Sequence, residues 1–288
     1  MINEVLIQIV VSGLVVGLVY GLVAAGLNLI WGMMEIVNFS HGECMMLNMY
    51  FAFFLFTLVG IDPLLALPLL LLFSFSLGFL IYQTLIRPIL KAPMVVQVAV
   101  TFGLGIFFRS AAQLFWSPDF RTIKNPIIAG NINLWGIYLG RPQLVTAAVC
   151  LLAFAFLYIL MTRTELGTAF QATAEDREAA SLMGINSNRM FAVAWGIGIG
   201  CVGVAGGLLS TFYYIFPEVG FPFTLIAYVV VALGGFGSVF GTLLAGLIIG
   251  ILEVVGGYFL IPSCKYVYMF FVYLIVVFFR PQGMFGRY

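Results

Sequence analysis

Charge is what this chain has least of. Its 288 residues include 12 Lys and Arg and 11 Asp and Glu, 8% together, where a soluble domain carries about 25%. A separate soluble domain is therefore not expected, since every polar stretch is short. A net charge of +1 gives no reason to expect a nucleic-acid partner. Histidine is present once, as His41, which excludes a His-based metal cluster, and no catalytic centre is expected. The four cysteines, Cys44, Cys150, Cys201 and Cys264, make no CxxC pair and sit in or beside apolar runs, so they read as packing residues. None of the lysines, Lys91, Lys124 and Lys265, follows a glycine. The chain thus lacks a P-loop and cannot hold nucleotide in one of its own. The opening MINEVLIQIVV has neither a basic n-region nor a small-residue cleavage site, so the first span is expected to act as its own insertion signal.

What is present is apolar: 63% of the residues are hydrophobic. A hydrocarbon core roughly 30 Å thick needs about 20 apolar helical residues to cross it. Windows that qualify lie near 6–30, 44–60, 64–86, 94–116, 143–161, 190–211, 224–236, 238–259 and 265–280. The 224–236 window is short and ends in glycines. The expected fold is all-α, a polytopic membrane protein of about 8–10 spans with broken or re-entrant segments, in a single domain over 1–288. Arg87 and Lys91, then Arg163, Arg177 and Arg189, then Arg280 and Arg287 mark three basic groups. With the windows above, all three fall on the cytoplasmic side, which places the N-terminus outside. The outer loop 117–142 carries Arg121, Lys124 and Arg141, against the rule.

Two stretches interrupt the apolar pattern. WGMMEIVNFSHGE (31–43) brings Asn38, Ser40, His41 and Glu43 between two spans, and ALGGFGSVFG (232–241) brings Gly234, Gly235 and Gly237. Interrupted segments in the two halves of a transporter point to its substrate path. The plainer readings are a cytoplasmic turn for the first and close helix packing for the second. Glu253, inside GLIIGILEVVGGYF, is an intramembrane carboxylate and so a candidate for the path, or else a group bonded to a neighbouring helix. Arg109 lies towards the outer end of its span, where snorkelling accounts for it. The steps GLVVGLVYG (13–21) and GLIIG (246–250) let helices approach closely, either within the chain or at a subunit or gating interface.

The charge that exists is gathered in one place. Arg163, Glu165, Glu175, Asp176, Arg177, Glu178 and Arg189 all fall in or beside TELGTAFQATAEDREAASLMGINSNRM (164–190). Thr164 and Gly184 are helix start and stop signals, so a short helix is expected in the connector 162–189, with Glu175, Asp176, Arg177 and Glu178 facing water. Glu178-Ala179-Ala180, then three residues, then Gly184 resembles the EAAxxxG loop of ABC-importer permeases. GLNLIWGMMEIVNFSHGE (26–43), residues 164–186, ALGGFGSVFGTLLAGLIIGILE (232–253) and FFRPQGMFG (278–286) are similar to stretches of branched-chain amino-acid permeases. Thr168 and Gln171 stand where that family has Arg, and Met34 stands where it commonly has glycine.

The resemblance implies an inner-membrane permease subunit with a cytoplasmic coupling helix on its ATPase, formed by Glu175, Asp176, Glu178, Ala179, Ala180 and Gly184. It also implies a second homologous permease, two cytoplasmic ATPase subunits that carry the ATP and Mg, and a periplasmic substrate-binding protein. The chain itself would need no cofactor. Related permeases serve urea, short amides or aromatic acids. From a different class, an ion-gradient-driven secondary transporter would lean on Glu253, Glu43 or His41, and a channel or scaffold would leave the EAAxxxG loop unexplained.

Overall fold

The computed structural model describes residues 2–134, 137–259, 265–280 and 282–285. The long apolar runs satisfy their backbone hydrogen bonds within helices, as a hydrocarbon layer demands. Seven described helices are long and apolar enough to cross it. These are α1 (Ile2–Met34), α2 (His41–Phe54), α3 (Leu67–Ile81), α5 (Met94–Trp116), α6 (Arg141–Arg163), α9 (Ser187–Leu209) and α11 (Val239–Phe259). A π-helical turn, Leu55–Val59, lengthens α2, and a second, Tyr82–Ile86, carries α3 into the short α4 (Arg87–Ile89). The helices α10 (Gly220–Gly234) and α12 (Lys265–Phe279) are apolar but have 15 residues each, about 22 Å of rise and too little for a full crossing. The nine sequence windows thus correspond to seven long helices and two short ones among the described residues. Between α6 and α9 lie α7 (Glu165–Glu175) and α8 (Arg177–Leu182), and a small hairpin, β1 (Asn131–Leu134) with β2 (Ile137–Gly140), caps the other end.

Small residues decide which helices meet. Gly13, Gly17 and Gly21 of α1 face Gly246 and Gly250 of α11 so closely that a Cβ on Gly17 would lie 2.7 Å from Leu247 Cα. Both GxxxG series are therefore spent on each other within the chain, and the subunit-interface reading of these two stretches does not hold. The central helix is α9, 83% buried over its apolar stretch, with Trp195 wholly enclosed. The opposite extreme is α5, only 11% buried.

One end of the bundle collects Arg87, Arg163, α7, α8 and the start of α9: Tyr82 Oη donates to Asn188 Oδ1 over 3.4 Å, and Arg177 donates to the same oxygen over 3.0 Å. The other end holds the 117–140 loop. There Arg121 donates to Trp116 O and lies over the rings of Tyr50, Phe53 and Phe54. That aromatic cage accounts for one of the cations that stood against the positive-inside assignment.

The sharpest departure from a plain bundle is α2. Its first residue, His41, donates through Nε2 to Val23 O at 2.9 Å, and Val23 is eleven residues short of the inner end of α1. At 1.5 Å per residue that is roughly 16 Å, about half of a 30 Å core. Residues 35–40 climb this distance without helix. Glu35, at φ +56°, turns the chain out of α1. The start of α10 lies at the same depth, because Gly42 and Gly220 touch backbone to backbone, and Gly42 N donates to Thr224 Oγ1 at 2.9 Å. A side chain on either glycine would drive the two helix starts apart.

Candidate functional site

Around the meeting of α2 and α10 lies a set of polar side chains sealed from solvent. Asn38, Ser40 and His41 are 0% exposed and Glu43 is 1% exposed. Asn38 Oδ1 accepts from Ser40 N at 3.1 Å and from Ser40 Oγ at 2.7 Å, closing a local turn that sets up the first residue of α2. Thr101 of α5 donates to Val37 O at 2.8 Å and ties the climbing strand to that helix. Phe39 packs on Tyr228 of α10 and Phe102 of α5, ring centroids 5.2 and 6.1 Å away. The sequence thus pointed to four residues that the structure brings together: Asn38, Ser40, His41 and Glu43.

What that reading missed is the cation. Arg109 does not snorkel to the outer face; it donates to Glu43 Oε1, and its guanidinium lies 5.0 Å from the ring centroid of Phe221. The only sequence signal was an arginine inside an apolar span. Its partner is 66 residues away, beyond the reach of any periodicity. Several buried polar atoms of this region lack a hydrogen-bond partner among the described residues: Asn38 Nδ2, His41 Nδ1, Glu43 Oε2, Arg109 Nε and Tyr228 Oη. Buried polar groups are nearly always paired, so the concentration of these atoms around the starts of α2 and α10 is unusual for a packed interior.

Gly234, Gly235 and Gly237 lie elsewhere, at the inner end beside Gly32. Asn28 organises them. Its Nδ2 lies within hydrogen-bond distance of Ser238 O at 3.0 Å, Thr242 Oγ1 at 2.6 Å and Gly235 O at 3.4 Å, and its Oδ1 accepts from Gly237 N at 2.8 Å. The C-terminal segment closes over the same loop, with Met284 N and Phe285 N donating to Leu233 O and Gly234 O at 2.8 and 3.2 Å. The glycines therefore sit away from the Asn38–Glu43 set, in a loop locked by α1 and by residues 284–285. Beside it, α1, α6, α7 and residues 236–240 enclose a cavity of about 480 Å³ that also touches Asn28. Glu253 belongs to a third place: Tyr20 Oη donates to its carboxylate at 2.5 Å, which agrees with a group bonded to a neighbouring helix.

The connector between α6 and α9 is two helices, not one. Thr164 starts α7, its hydroxyl accepting from Gly167 N at 3.2 Å. Asp176 breaks the helix and caps α8, accepting from Glu178 N and Ala179 N at 2.8 and 2.9 Å. Gly184, at φ +86°, ends α8, while Ile185 N reaches back to Ala180 O and Gly184 N to Ser181 O. This paired closure is the usual end of a helix that stops on glycine. Glu175, Asp176, Glu178 and Ala179 are exposed, whereas Ala180 is 4% exposed and faces inward. Arg177 also folds inward, over Phe191, instead of facing water. The outermost side chains are apolar: Leu182 is 89% exposed and Met183 83%.

Residues 9–279 match the family described as branched-chain amino acid transport system, permease component. The chain belongs to that family. The high-affinity branched-chain amino acid transport system permease protein BraD of Pseudomonas aeruginosa is 31% identical, over 98% of this chain and 96% of that one. The corresponding LivH protein of Escherichia coli is 29% identical over the same shares. A solved structure, PsaBC from Streptococcus pneumoniae in complex with Fab, aligns with 94% of this chain and 91% of that one at 14% identity and a TM-score of 0.47.

This permease is accordingly a multi-pass transport subunit of an ABC importer and not itself an enzyme. Permeases of this family work with ATPase and binding-protein partners. Membership decides against the ion-driven carrier, the channel and the scaffold.

Proposed function

We propose that the permease forms the membrane path of a bacterial inner-membrane importer for branched-chain or closely related hydrophobic amino acids. It pairs with a second, homologous permease and with two cytoplasmic ATPases, which hold the ATP and Mg, and takes substrate from a periplasmic binding protein. The observation that carries the reading is the capped α7–α8 connector. It is a capped, charged support that presents two apolar side chains, Leu182 and Met183, to the outside of the chain. Exposed apolar groups on an acidic rim, at the end where the basic residues gather, fit a groove on a cytoplasmic partner. Glu175, Asp176, Glu178, Ala179 and Gly184 supply that rim and its caps, and Ala180 anchors it from beneath. The Asn38–Glu43 set is the central part of the path. Gly234, Gly235 and Gly237 shape its inner mouth, and Glu253 braces its wall through Tyr20.

The test is co-purification. Leu182→Asp combined with Met183→Asp leaves the membrane helices untouched, and the ATPases are expected to be lost from the purified complex together with ATP-dependent uptake. Retention of both at the wild-type level would sink the proposal.

A further inference from the structure

Arg109 and Glu43 form an ion pair within the bundle, and they are not closed off alike. Glu43 is buried, whereas the side chain of Arg109 is 28% exposed. The exposed part lies on α5, the least covered span. One turn further along α5, Gln113 donates to Glu218 at 2.5 Å, with both side chains exposed. Arg109, Gln113 and Glu218 thus form a polar stripe on the outside of a membrane-spanning chain. Gln113 and Glu218 lie towards the outer end of α5 and in the connector before α10, while Arg109 lies deeper in the span, where a charged side chain faces protein or water. The buried end of the stripe has its own vacancies. Glu43 Oε2 is an unused acceptor and Asn38 Nδ2 an unused donor, both on side chains at most 1% exposed. The starts of α2 and α10 meet immediately beside them, and helix starts favour negative charge.

We infer that this junction is a headgroup site for a zwitterionic amino acid, reached from the polar face of α5: Arg109 takes the carboxylate and Glu43 the ammonium. The chemistry is complementary. A guanidinium already holding one carboxylate oxygen can turn its remaining donors to a second carboxylate, and the free oxygen of Glu43 accepts from an ammonium. The substrate adds two ion pairs to the internal one, so neither protein charge is left alone in a dry place during passage. Phe221, stacked on the guanidinium and 41% exposed, holds Arg109 in line and offers an apolar surface to an aliphatic side chain. The inference rests on the proposed amino-acid transport and adds to it which end of the substrate each residue reads.

The experiment uses the whole complex in proteoliposomes, with E43Q, R109Q, the double variant E43Q/R109Q, and R109K. Uptake of radiolabelled leucine is measured beside ATP hydrolysis stimulated by loaded binding protein. Each variant is expected to lose uptake by about tenfold or more while stimulated hydrolysis stays within about twofold, one charge-assisted contact being worth at least that factor. An ion pair that only fastens α2 to α5 behaves otherwise. Removing both charges relieves the lone buried charge left by either single change, and wild-type uptake by the double variant would overturn the assignment. R109K keeps a cation beside Glu43 but lacks the planar fork; wild-type uptake there overturns it equally, and this variant decides if the double one fails to assemble. Failure of the wild-type complex to move leucine would instead strike at the transport reading.

Discussion

At the scale of a single residue, Asn28 shows how much one side chain organises. It lies 2% exposed on α1 and uses both ends of its amide on the loop after α10 and the first turn of α11. Replacing it with alanine takes the side-chain partner from the Gly237 amide and removes the tie from α1 to Gly235 O, Ser238 O and Thr242 Oγ1, although Gly235 O and Ser238 O keep the amides of Ser238 and Thr242. A hydrogen bond within the chain contributes about 0.5–1.5 kcal/mol, so Asn28→Ala is expected to lower the thermal unfolding midpoint of the detergent-solubilised permease. An unchanged midpoint would mean that the loop is held by other contacts. The same residue shows what composition could not. Gly234, Gly235 and Gly237 carry the composition of a substrate path, and only the distant Asn28 and the segment at 284–285 show where they sit, in a corner at the inner end held from both sides. Asn38, Ser40, His41 and Glu43 were legible because their polarity stands out locally against apolar neighbours. Arg109 and Tyr228 were not, because their meaning depends on which helices are adjacent in space.

At the scale of elements, composition alone was enough to find the long helices, since a run of about 20 apolar residues has few other stable arrangements in a membrane. Their partners were harder to read. GxxxG steps announce close approach without naming the partner, and α1 with α11 emerges only when both are seen together. The connector was nearly transparent, because Thr164 and Gly184 act through neighbours in sequence; the break at Asp176 was the part missed. That break is testable. Asp176→Ala removes the cap of α8 at about 1 kcal/mol. Amide exchange over 177–183 is then expected to quicken and ATPase-coupled uptake to fall, with exchange in α9 unchanged. Exchange over 177–183 that stays at the wild-type rate would show that α8 does not depend on this cap.

At the scale of the molecule, the two ends of the bundle differ in kind. One carries α7, α8 and most of the basic residues. The other carries the hairpin and the caged Arg121. The orientation can be read directly in cells, because the native thiols Cys44, Cys150 and Cys201 are buried. In a Cys264→Ser background, a cysteine placed at Met183 is expected to react with a membrane-impermeant maleimide only after the cytoplasmic face is opened. One at Ile127, 68% exposed in the opposite loop, is expected to react in intact spheroplasts. The reverse pattern would invert the whole permease.

Because α2 begins halfway through the bundle, the column beneath it is filled by six residues that form no helix. Ile36, Val37, Asn38 and Ser40 are buried there, Val37 O is tied to Thr101, and Phe39 packs on Tyr228 and Phe102. The columns on either side are held by a ladder of hydrogen bonds at every turn, whereas this one is fastened mainly by its side chains. Its backbone can therefore change shape without unwinding a turn of any neighbour.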